Sequence, residues 1–351
     1  MRRVWVTGGA GFIGSHLVRW LVRYYPNWEI HTLDALTYAG HLGNLEDLQG
    51  APNHHFHQVN IADQAALQTL WESAPPDWIF HLAAESHVDR SILSPLDFVH
   101  TNIVGTAVLL ELARHRWTDK TEKLFYQVST DEVYGSLGEE GHFTEETPYA
   151  PRSPYAASKA AADHLVRAYG HTYGLPYIIS NCGNNYGPYQ FPEKLIPLTI
   201  MNLMERRPIP VYGKGENMRD WIYVEDHVRA IVRLAEEAPR GRTYLISAQN
   251  VRRNREVVEL LCDLYDALNG TMDSRQLIRF VQDRPGHDYR YALQPSPTLL
   301  DLGWRPEVEF HTGLRQTLEW YQTHQSWLNA VRTSAYHTYY QKQYAHRLSL
   351  S

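Results

Sequence analysis

The sequence predicts an α/β fold, a doubly wound parallel sheet with a smaller second α/β lobe. Two observations predict it. Through the first half of the chain, short apolar runs alternate with stretches of helical periodicity, the pattern of strand–helix units whose helices cover both faces of a parallel sheet. Beyond about residue 183 the texture changes to Gly-Asn-Asn-Tyr-Gly-Pro-Tyr-Gln-Phe-Pro, which is loop chemistry, followed by a mixture of short strands and helices.

In chain order, strands are expected at Arg3–Thr7, Ile30–Leu33, Phe56–Val59, Trp78–Leu82, Leu124–Ser129 and Tyr177–Ser180. Helices are expected at Gly14–Tyr25, Gln64–Trp71, Pro95–His115 and Pro154–Tyr173. In the second half, Ile209–Tyr212 and Arg279–Val281 read as strands, and Arg255–Leu268 and Leu314–His324 as helices. The segments Tyr223–Glu237 and Tyr244–Ser247 are expected to return to the first domain. The first domain therefore covers 1–183 and about 220–248, the second lobe about 184–219 and 249–330, and residues 331–351 form a C-terminal tail.

Composition excludes several classes. A net charge of −6 with interspersed signs gives no footprint for nucleic acid. Cys182 and Cys262 are too few and too far apart for a disulfide framework, and point to a reducing cytoplasm. Met1 to Thr7 runs into a strand without the apolar core of a secretory signal, and no apolar run suggestive of a membrane span is evident. Histidines are numerous, but their spacing matches no metal site; His54, His55 and His57 are expected to be exposed rather than ligands.

The turn Thr7-Gly8-Gly9-Ala10-Gly11-Phe12-Ile13-Gly14 joins the first strand to the first helix. Gly8, Gly11 and Gly14 allow a tight turn, close approach of backbone to a pyrophosphate, and close helix–sheet packing. The helix N-terminus then faces the phosphates with free N–H groups. Asp34 lies 20 residues beyond Gly14 at a strand end, where a carboxylate binds both adenosine ribose hydroxyls and repels a 2′-phosphate. A Rossmann-type domain binding NAD rather than NADP is expected. Small residues in His81-Leu82-Ala83-Ala84-Glu85-Ser86 let a flat ligand lie against the fourth strand's end.

Tyr155 and Lys159 are four apart and share a helix face. A nearby ammonium and a cationic nicotinamide would lower the phenol from its ordinary value of about 10, making it a base for an alcohol. Asp131 and Glu132 follow the Ser129-Thr130 strand end beside that pair. Two carboxyls in one desolvated site need not both ionise, so one can act as acid and the other as base. A redox pair and an elimination pair in one site imply a dehydratase that uses transient oxidation.

These residues resemble the dTDP-glucose 4,6-dehydratase family of extended short-chain dehydrogenases/reductases. The segments that carry the resemblance are TGGAGFIGS, LDALTYAGHLGNL, FHLAAESHVDRSI, VSTDEVYG, SPYAASKAAADHLVRAY, NNYGPYQFPEKLIPL, VYGKGENMRDWIYVEDH and DRPGHDYRYA, spread over essentially the whole chain. The resemblance implies a Rossmann domain, a C-terminal sugar-nucleotide lobe, tightly held NAD, a dTDP-glucose substrate and a homodimer. In its terms Thr130 bonds the sugar near O4, Asp131 protonates the leaving 6-hydroxyl, Glu132 is the base at C5, and Tyr155, tuned by Lys159, is the base for the 4-hydroxyl. Cofactor positions fall on Phe12, Ile13, Asp34, Ala35, Leu36, Thr37, Asn60, Ile61, Leu82, Ala83, Ala84, Ser86, Thr101, Ser129, Tyr155, Lys159 and Asn185. Substrate positions fall on Ser86, Thr130, Asn184, Lys194, Leu195, Pro210, Val211, Tyr212, Arg219, Asn254 and the run Asp283, Arg284, Pro285, Gly286, His287. Arg219 and Arg284 suit a diphosphate, whose oxygens match guanidinium forks. Glu193 matches the family's Glu without an assigned part.

Two departures stand out. Asn60 occupies a position where the family has Asp, and it can both accept and donate. Leu245-Ile246-Ser247-Ala248-Gln249-Asn250-Val251 replaces the family's Asn-Ile-Gly-Gly-x-Asn-Glu, which bears on the local turn and on the phosphate side of the substrate site. The rival readings are a 4-epimerase or UDP-glucose dehydratase on the same scaffold, and a catalytically silent NAD-responsive binding protein. An epimerase has no use for the Asp131–Glu132 pair, and a silent protein none for Tyr155 and Lys159. The Pro95–His115 and Pro154–Tyr173 helices carry the apolar faces on which a homodimer would pair.

Overall fold

The computed structural model describes residues 1–348. Its strands are β1 Arg3–Thr7, β2 Glu29–Asp34, β3 His54–Gln58, β4 Trp78–His81, β5 Leu124–Thr130, β6 Tyr177–Cys182, β7 Asn184–Tyr186, β8 Ile209–Tyr212, β9 Met218–Tyr223, β10 Arg242–Ile246, β11 Val251–Arg253 and β12 Ile278–Val281. Seven of them form one parallel sheet in the order β10-β6-β5-β4-β1-β2-β3. Its central strands are buried on both faces, which is why they read as continuous apolar runs rather than alternating ones.

Alternate residues on those strands feed two separate cores. Val4, Val6, Phe80, Tyr126 and Ile178 face the helices Phe12–Tyr24 and Val224–Glu237. Trp5, Ile79, Phe125 and Ile179 face Gln64–Ser73, Thr106–Arg116 and Pro154–Tyr173. A third core joins Leu195–Met204, Asn254–Asn269 and Phe310–Thr323 with the small sheets β11-β9-β7 and β12-β8.

The first helix starts at Phe12, two residues earlier than expected, because Gly11 is already extended as its cap. It stops at Tyr24 ahead of Pro26, which disfavours helix in the residue before it. The single helix expected over Pro95–His115 is a Pro95–Phe98 turn, a widened π-type stretch Val99–Gly105 and a helix Thr106–Arg116. The widening falls where Asn102 is drawn out of regular register. Its side chain donates to Glu85 O (3.0 Å) and to Ser158 Oγ (2.8 Å), and accepts from Glu85 N–H (2.8 Å).

The reading that no run suits a membrane span is corrected here. Pro95–Arg116 is long and apolar enough by length and composition, with mean hydropathy 1.3. It packs along Pro154–Tyr173, and its polar Asn102 and Thr106 are buried and bonded within the protein. Residues Gln325–Val331 and Ser334–Leu348 are helical, with Tyr336 and Tyr344 in the third core; residues 349–351 lie outside the described residues.

Of the three clustered histidines only His55 is exposed. His57 Nε2 sits 2.9 Å from His31 Nδ1, and His54 Nε2 sits 2.9 Å from Thr32 Oγ1. Among the described residues no group of His, Cys, Asp and Glu is arranged to hold a metal ion.

Candidate active site

The carboxyl ends of β1, β2, β4, β5 and β6 open into a cleft of about 420 Å³, closed on its far side by the second lobe. At the β1 end Gly8 has φ +70°, and a Cβ there would lie 2.6 Å from Ala83 N. A Cβ on Gly14 would press into the Gly8 carbonyl. The turn is thus a cradle that admits only glycine at both points. Phe12 and Ile13 open the helix beside it.

Asp34 is buried at the end of β2. Its Oδ2 accepts from Ala10 N–H (3.0 Å) and its Oδ1 from Leu36 N–H (2.8 Å). Burial raises its carboxyl above the ordinary range, and those two N–H groups work against the rise. Ala35, Thr37, Asn60, Ile61, Leu82, Ala83, Ala84, Ser86, Thr101, Ser129 and Asn185 line the same end. Leu36, expected there, does not. It holds φ 51° and packs into the first core, and only its N–H serves the site, through Asp34. Asn60 Oδ1 accepts from Ala62 N–H (2.9 Å) with one of its two lone pairs, and it keeps the other, with its amide donor, beside the cleft.

Thr130 ends β5, and Asp131–Tyr134 form a tight 3₁₀ turn after it. Thr130 Oγ1 accepts from Glu132 N–H and donates to Asp131 Oδ1, both at 3.3 Å. Asp131 is 2% exposed and its Oδ2 has no hydrogen-bond partner among the described residues. Burial, then the charge of Glu132, pushes its carboxyl well above the usual range. Glu132 is also raised by burial, while Arg284, Lys194 and Arg219 pull it back. The pair therefore starts with its two carboxyls biased apart, Asp131 toward the neutral form.

Tyr155 and Lys159 face this pair from Pro154–Tyr173, a helix capped by Ser153 Oγ accepting from Ala156 N–H (3.0 Å). The expected lowering of the Tyr155 phenol draws on the Lys159 ammonium and a cationic nicotinamide together, while the chain's own groups act the other way on this phenol. Burial and the charge of Glu132 raise it well above its ordinary value. Lys159 Nζ donates to Val128 O at 2.8 Å, and burial lowers its own pKa.

On the second-lobe side, Lys194 Nζ donates to Ser86 O at 2.7 Å. Arg219 is buried, donates to Met218 O (2.7 Å) and Asp288 O (3.0 Å), and lies over the Tyr291 ring. Arg284 pairs with Asp89 at 3.0 Å. Although burial opposes ionisation, that guanidinium holds Asp89 down to about 2. Asn184, Leu195, Pro210, Val211, Tyr212, Asn254 and His287 complete the expected lining. Buried Asn184 Oδ1, Asn254 Oδ1 and Arg284 Nε have no hydrogen-bond partner among the described residues.

Asp283, Pro285 and Gly286 stand outside the lining. Asp283 accepts from Arg284 N–H (2.8 Å) and sits 2.6 Å from His287 Nδ1, so it orients its neighbours instead. Pro285 and Gly286 (φ 66°) supply the turn. The departure at 245–251 closes on itself: Ser247 Oγ bonds Asp220, Asn250 N–H donates to Asp220 Oδ1 (2.9 Å), and Gln249 N–H to Ser247 Oγ (2.9 Å).

Lining residues missed from sequence include Glu85, Asp89, Gln190, Cys182 and Tyr344. Asp89 sits within the matched segment FHLAAESHVDRSI, beside Ser86; Tyr344 arrives from the far C-terminal helix with no local signal. Glu193, left without a part, pairs with Arg90 at 2.9 Å, whose guanidinium lies between the Tyr38 and Tyr339 rings.

A profile of the GDP-mannose 4,6 dehydratase family matches residues 5–317. A probable dTDP-glucose 4,6-dehydratase of Sinorhizobium fredii is 50% identical, covering 95% of this chain and 97% of its own. The dTDP-glucose 4,6-dehydratase of Salmonella typhimurium is 47% identical, covering 98% and 99%. The solved dTDP-glucose 4,6-dehydratase of Streptomyces venezuelae with NAD bound superposes with a TM-score of 0.87 at 43% identity, covering 94% and 99%. Full-length similarity to these enzymes, on a cleft that brings Thr130, Asp131, Glu132, Tyr155 and Lys159 together, places the chain in the dTDP-glucose 4,6-dehydratase family.

Proposed function

We propose that the chain is an NAD-dependent hydro-lyase that converts dTDP-glucose to dTDP-4-keto-6-deoxy-glucose and water. The observation that carries this reading is the buried acid–base pair Asp131–Glu132 set against Tyr155 and Thr130 in one cleft. The glycine cradle, the Asp34 carboxylate and the small residues Ala83 and Ala84 suit NAD, with the nicotinamide end toward Tyr155 and Lys159. NAD, when bound, takes hydride from C4 of the sugar and gives it back at C6.

The residues do the rest. Tyr155 accepts the 4-hydroxyl proton, with Thr130 bonding that oxygen and Lys159 supplying positive charge behind the phenol. The 4-ketone acidifies the C5 proton, which Glu132 removes while Asp131 protonates the departing 6-hydroxyl to give water. Glu132 then returns its proton to C5. One turnover leaves Tyr155 a proton richer and Asp131 a proton poorer, so a proton must pass back before the next.

The orphaned Asn184, Asn254 and Arg284 atoms, with Arg219 and Lys194, support a sugar diphosphate seated across the second lobe. We divide the chain at the boundaries read above: a cofactor domain of 1–183 with about 220–248, a substrate lobe of about 184–219 with 249–330, and the C-terminal segment laid against that lobe. Two buried free cysteines are in keeping with a cytoplasmic enzyme.

The chain is proposed to act as a homodimer. Leu93, Leu96, Val99 and Val104 expose apolar side chains, Leu96 being 77% exposed, on segments packed beside Pro154–Tyr173. Leu96→Glu is expected to give a monomer in sedimentation equilibrium at micromolar concentration with the fold intact; an unchanged dimer would move the interface elsewhere, and a monomeric wild type would remove it.

The function itself is tested by mass spectrometry of dTDP-glucose incubated with the protein and NAD, with UDP-glucose in parallel. Loss of one water without net consumption of NAD is expected, faster with dTDP-glucose. An unchanged mass with a galactose-configured product would mean an epimerase. No reaction with either sugar nucleotide would favour a silent binding protein.

A further inference from the structure

The helix Pro154–Tyr173 that presents Tyr155 and Lys159 also buries a carboxylate one turn further on. Asp163 is 0% exposed. Its Oδ2 accepts from Ser129 Oγ at 2.6 Å and from Tyr149 OH at 2.9 Å, while its Oδ1 has no hydrogen-bond partner among the described residues. Tyr149 OH in turn accepts from Arg167 NH2 at 2.7 Å, and Arg167 also donates to Thr243 Oγ1 at 3.0 Å on β10. Both ends of the catalytic apparatus meet at this carboxylate. Ser129 immediately precedes Thr130, Asp131 and Glu132 on β5. Lys159 lies four residues before Asp163 on the helix and bonds Val128 O at 2.8 Å, one residue before Ser129.

We propose that Asp163 is a positioning residue for the reaction: it clamps the β5 end that carries the elimination pair to the helix that carries the redox pair, and it serves as the buried counter-charge of the Lys159 ammonium. The inference rests on the function proposed above. A carboxylate with no exposure and half of its acceptor capacity unused is expensive to bury as a purely structural group; a cation one helical turn away makes that burial tolerable.

The titratable and charged groups around the pair are few. Lys159 faces Asp163 on its own helix, Cys182 on β6, which burial pushes up to about 12, and His81 on β4, which burial holds neutral. Asp163 faces Lys159, Arg167, Tyr149 and Tyr134, with neutral Asn181 beyond the two tyrosines. Burial lowers the Lys159 ammonium and Asp163 raises it again. Removing the Asp163 charge therefore leaves Lys159 losing its proton at lower pH. The Ser129 and Tyr149 hydroxyls favour the ionised form of Asp163, so removing one of them lets it protonate at higher pH.

The test is a set of pH profiles on the NAD-loaded enzyme with dTDP-glucose, run beside wild type so that a wild type that does not dehydrate exposes failure of the function rather than of this inference. Asp163→Asn is expected to lower kcat at least tenfold, leave KM within about twofold, and move the alkaline limb of kcat to lower pH. Asp163→Glu, which keeps the charge, is expected to return that limb toward wild type. Tyr149→Phe is expected to raise the acid limb and leave the alkaline one in place.

A second readout needs no turnover: the pH at which NAD affinity falls on the alkaline side, followed by titration calorimetry, should move down in Asp163→Asn. A loss of kcat with both limbs unmoved, or kcat and KM changing together in all three variants, would overturn the proposal and leave Asp163 as packing. If Asp163→Asn does not fold, by circular dichroism, the Tyr149→Phe acid limb decides alone.

Discussion

Asp131→Asn is expected to cut water loss by roughly 10²- to 10⁴-fold while C4 oxidation persists. The isosteric amide fills the same fully buried site and can still take the Thr130 hydroxyl, so packing is unchanged. What disappears is the proton that Asp131 is proposed to give to the leaving 6-hydroxyl. Tyr155, Thr130 and Lys159 are untouched, so the first half-reaction continues and the reduced-nicotinamide absorbance builds up to about one equivalent per site. Stopped-flow absorbance with product quantified by mass spectrometry checks both halves. Dehydration at the wild-type rate would show that the acid is another group.

Tyr155→Phe is expected to fail earlier, with a fall of roughly 10²- to 10⁴-fold in every step and no reduced-nicotinamide signal at all. The ring stays, and with it the edge contact to Phe98 at 6.2 Å, so stability should change little. Deuterium uptake at C5 from heavy water should vanish as well, because Glu132 can remove that proton only after the ketone exists. The two variants thus block the pathway on either side of oxidation. A Tyr155→Phe enzyme that still oxidises C4 would hand the base role to another group, with Glu132, whose charge acts on the Tyr155 phenol, as the candidate.

The reach of the sequence followed the locality of the signal. Pro154–Tyr173 was legible to the residue because its ends are local chemistry: a Ser153 cap, Pro154 at the first position and Gly174 in the left-handed conformation after it. The same holds for the glycine turn and Asp34, whose functions follow from turn geometry and strand ends. The break in Pro95–His115 was not legible, because it depends on Asn102 reaching Glu85 and Ser158, contacts that no window along the chain contains. Three-residue strands such as Asn184–Tyr186 and Val251–Arg253 carry too few residues to show a period.

In the site, the glycine turn, Asp34 and the Tyr155–Lys159 pair carried local signals, whereas the second-lobe residues were expected only through the family resemblance and others, such as Cys182 and Tyr344, carried none. Asp163 reads in sequence like any acidic residue on a helix, and only its total burial beside Lys159 marks it. Tyr344 belongs to a segment expected to be a tail. Helical spacing places Lys159 near Tyr155, but says nothing of the desolvation that raises the phenol among the chain's own groups.

The most direct test of the account follows the hydrogen on C4. dTDP-glucose deuterated at C4 is incubated with the enzyme and NAD in ordinary water, and the product is analysed by mass spectrometry and NMR. The account predicts a product one water lighter, with the deuterium retained on the new C6 methyl group and none released to solvent. Deuterium washed out into water, or retained at C4 of a product that has lost no water, would contradict it.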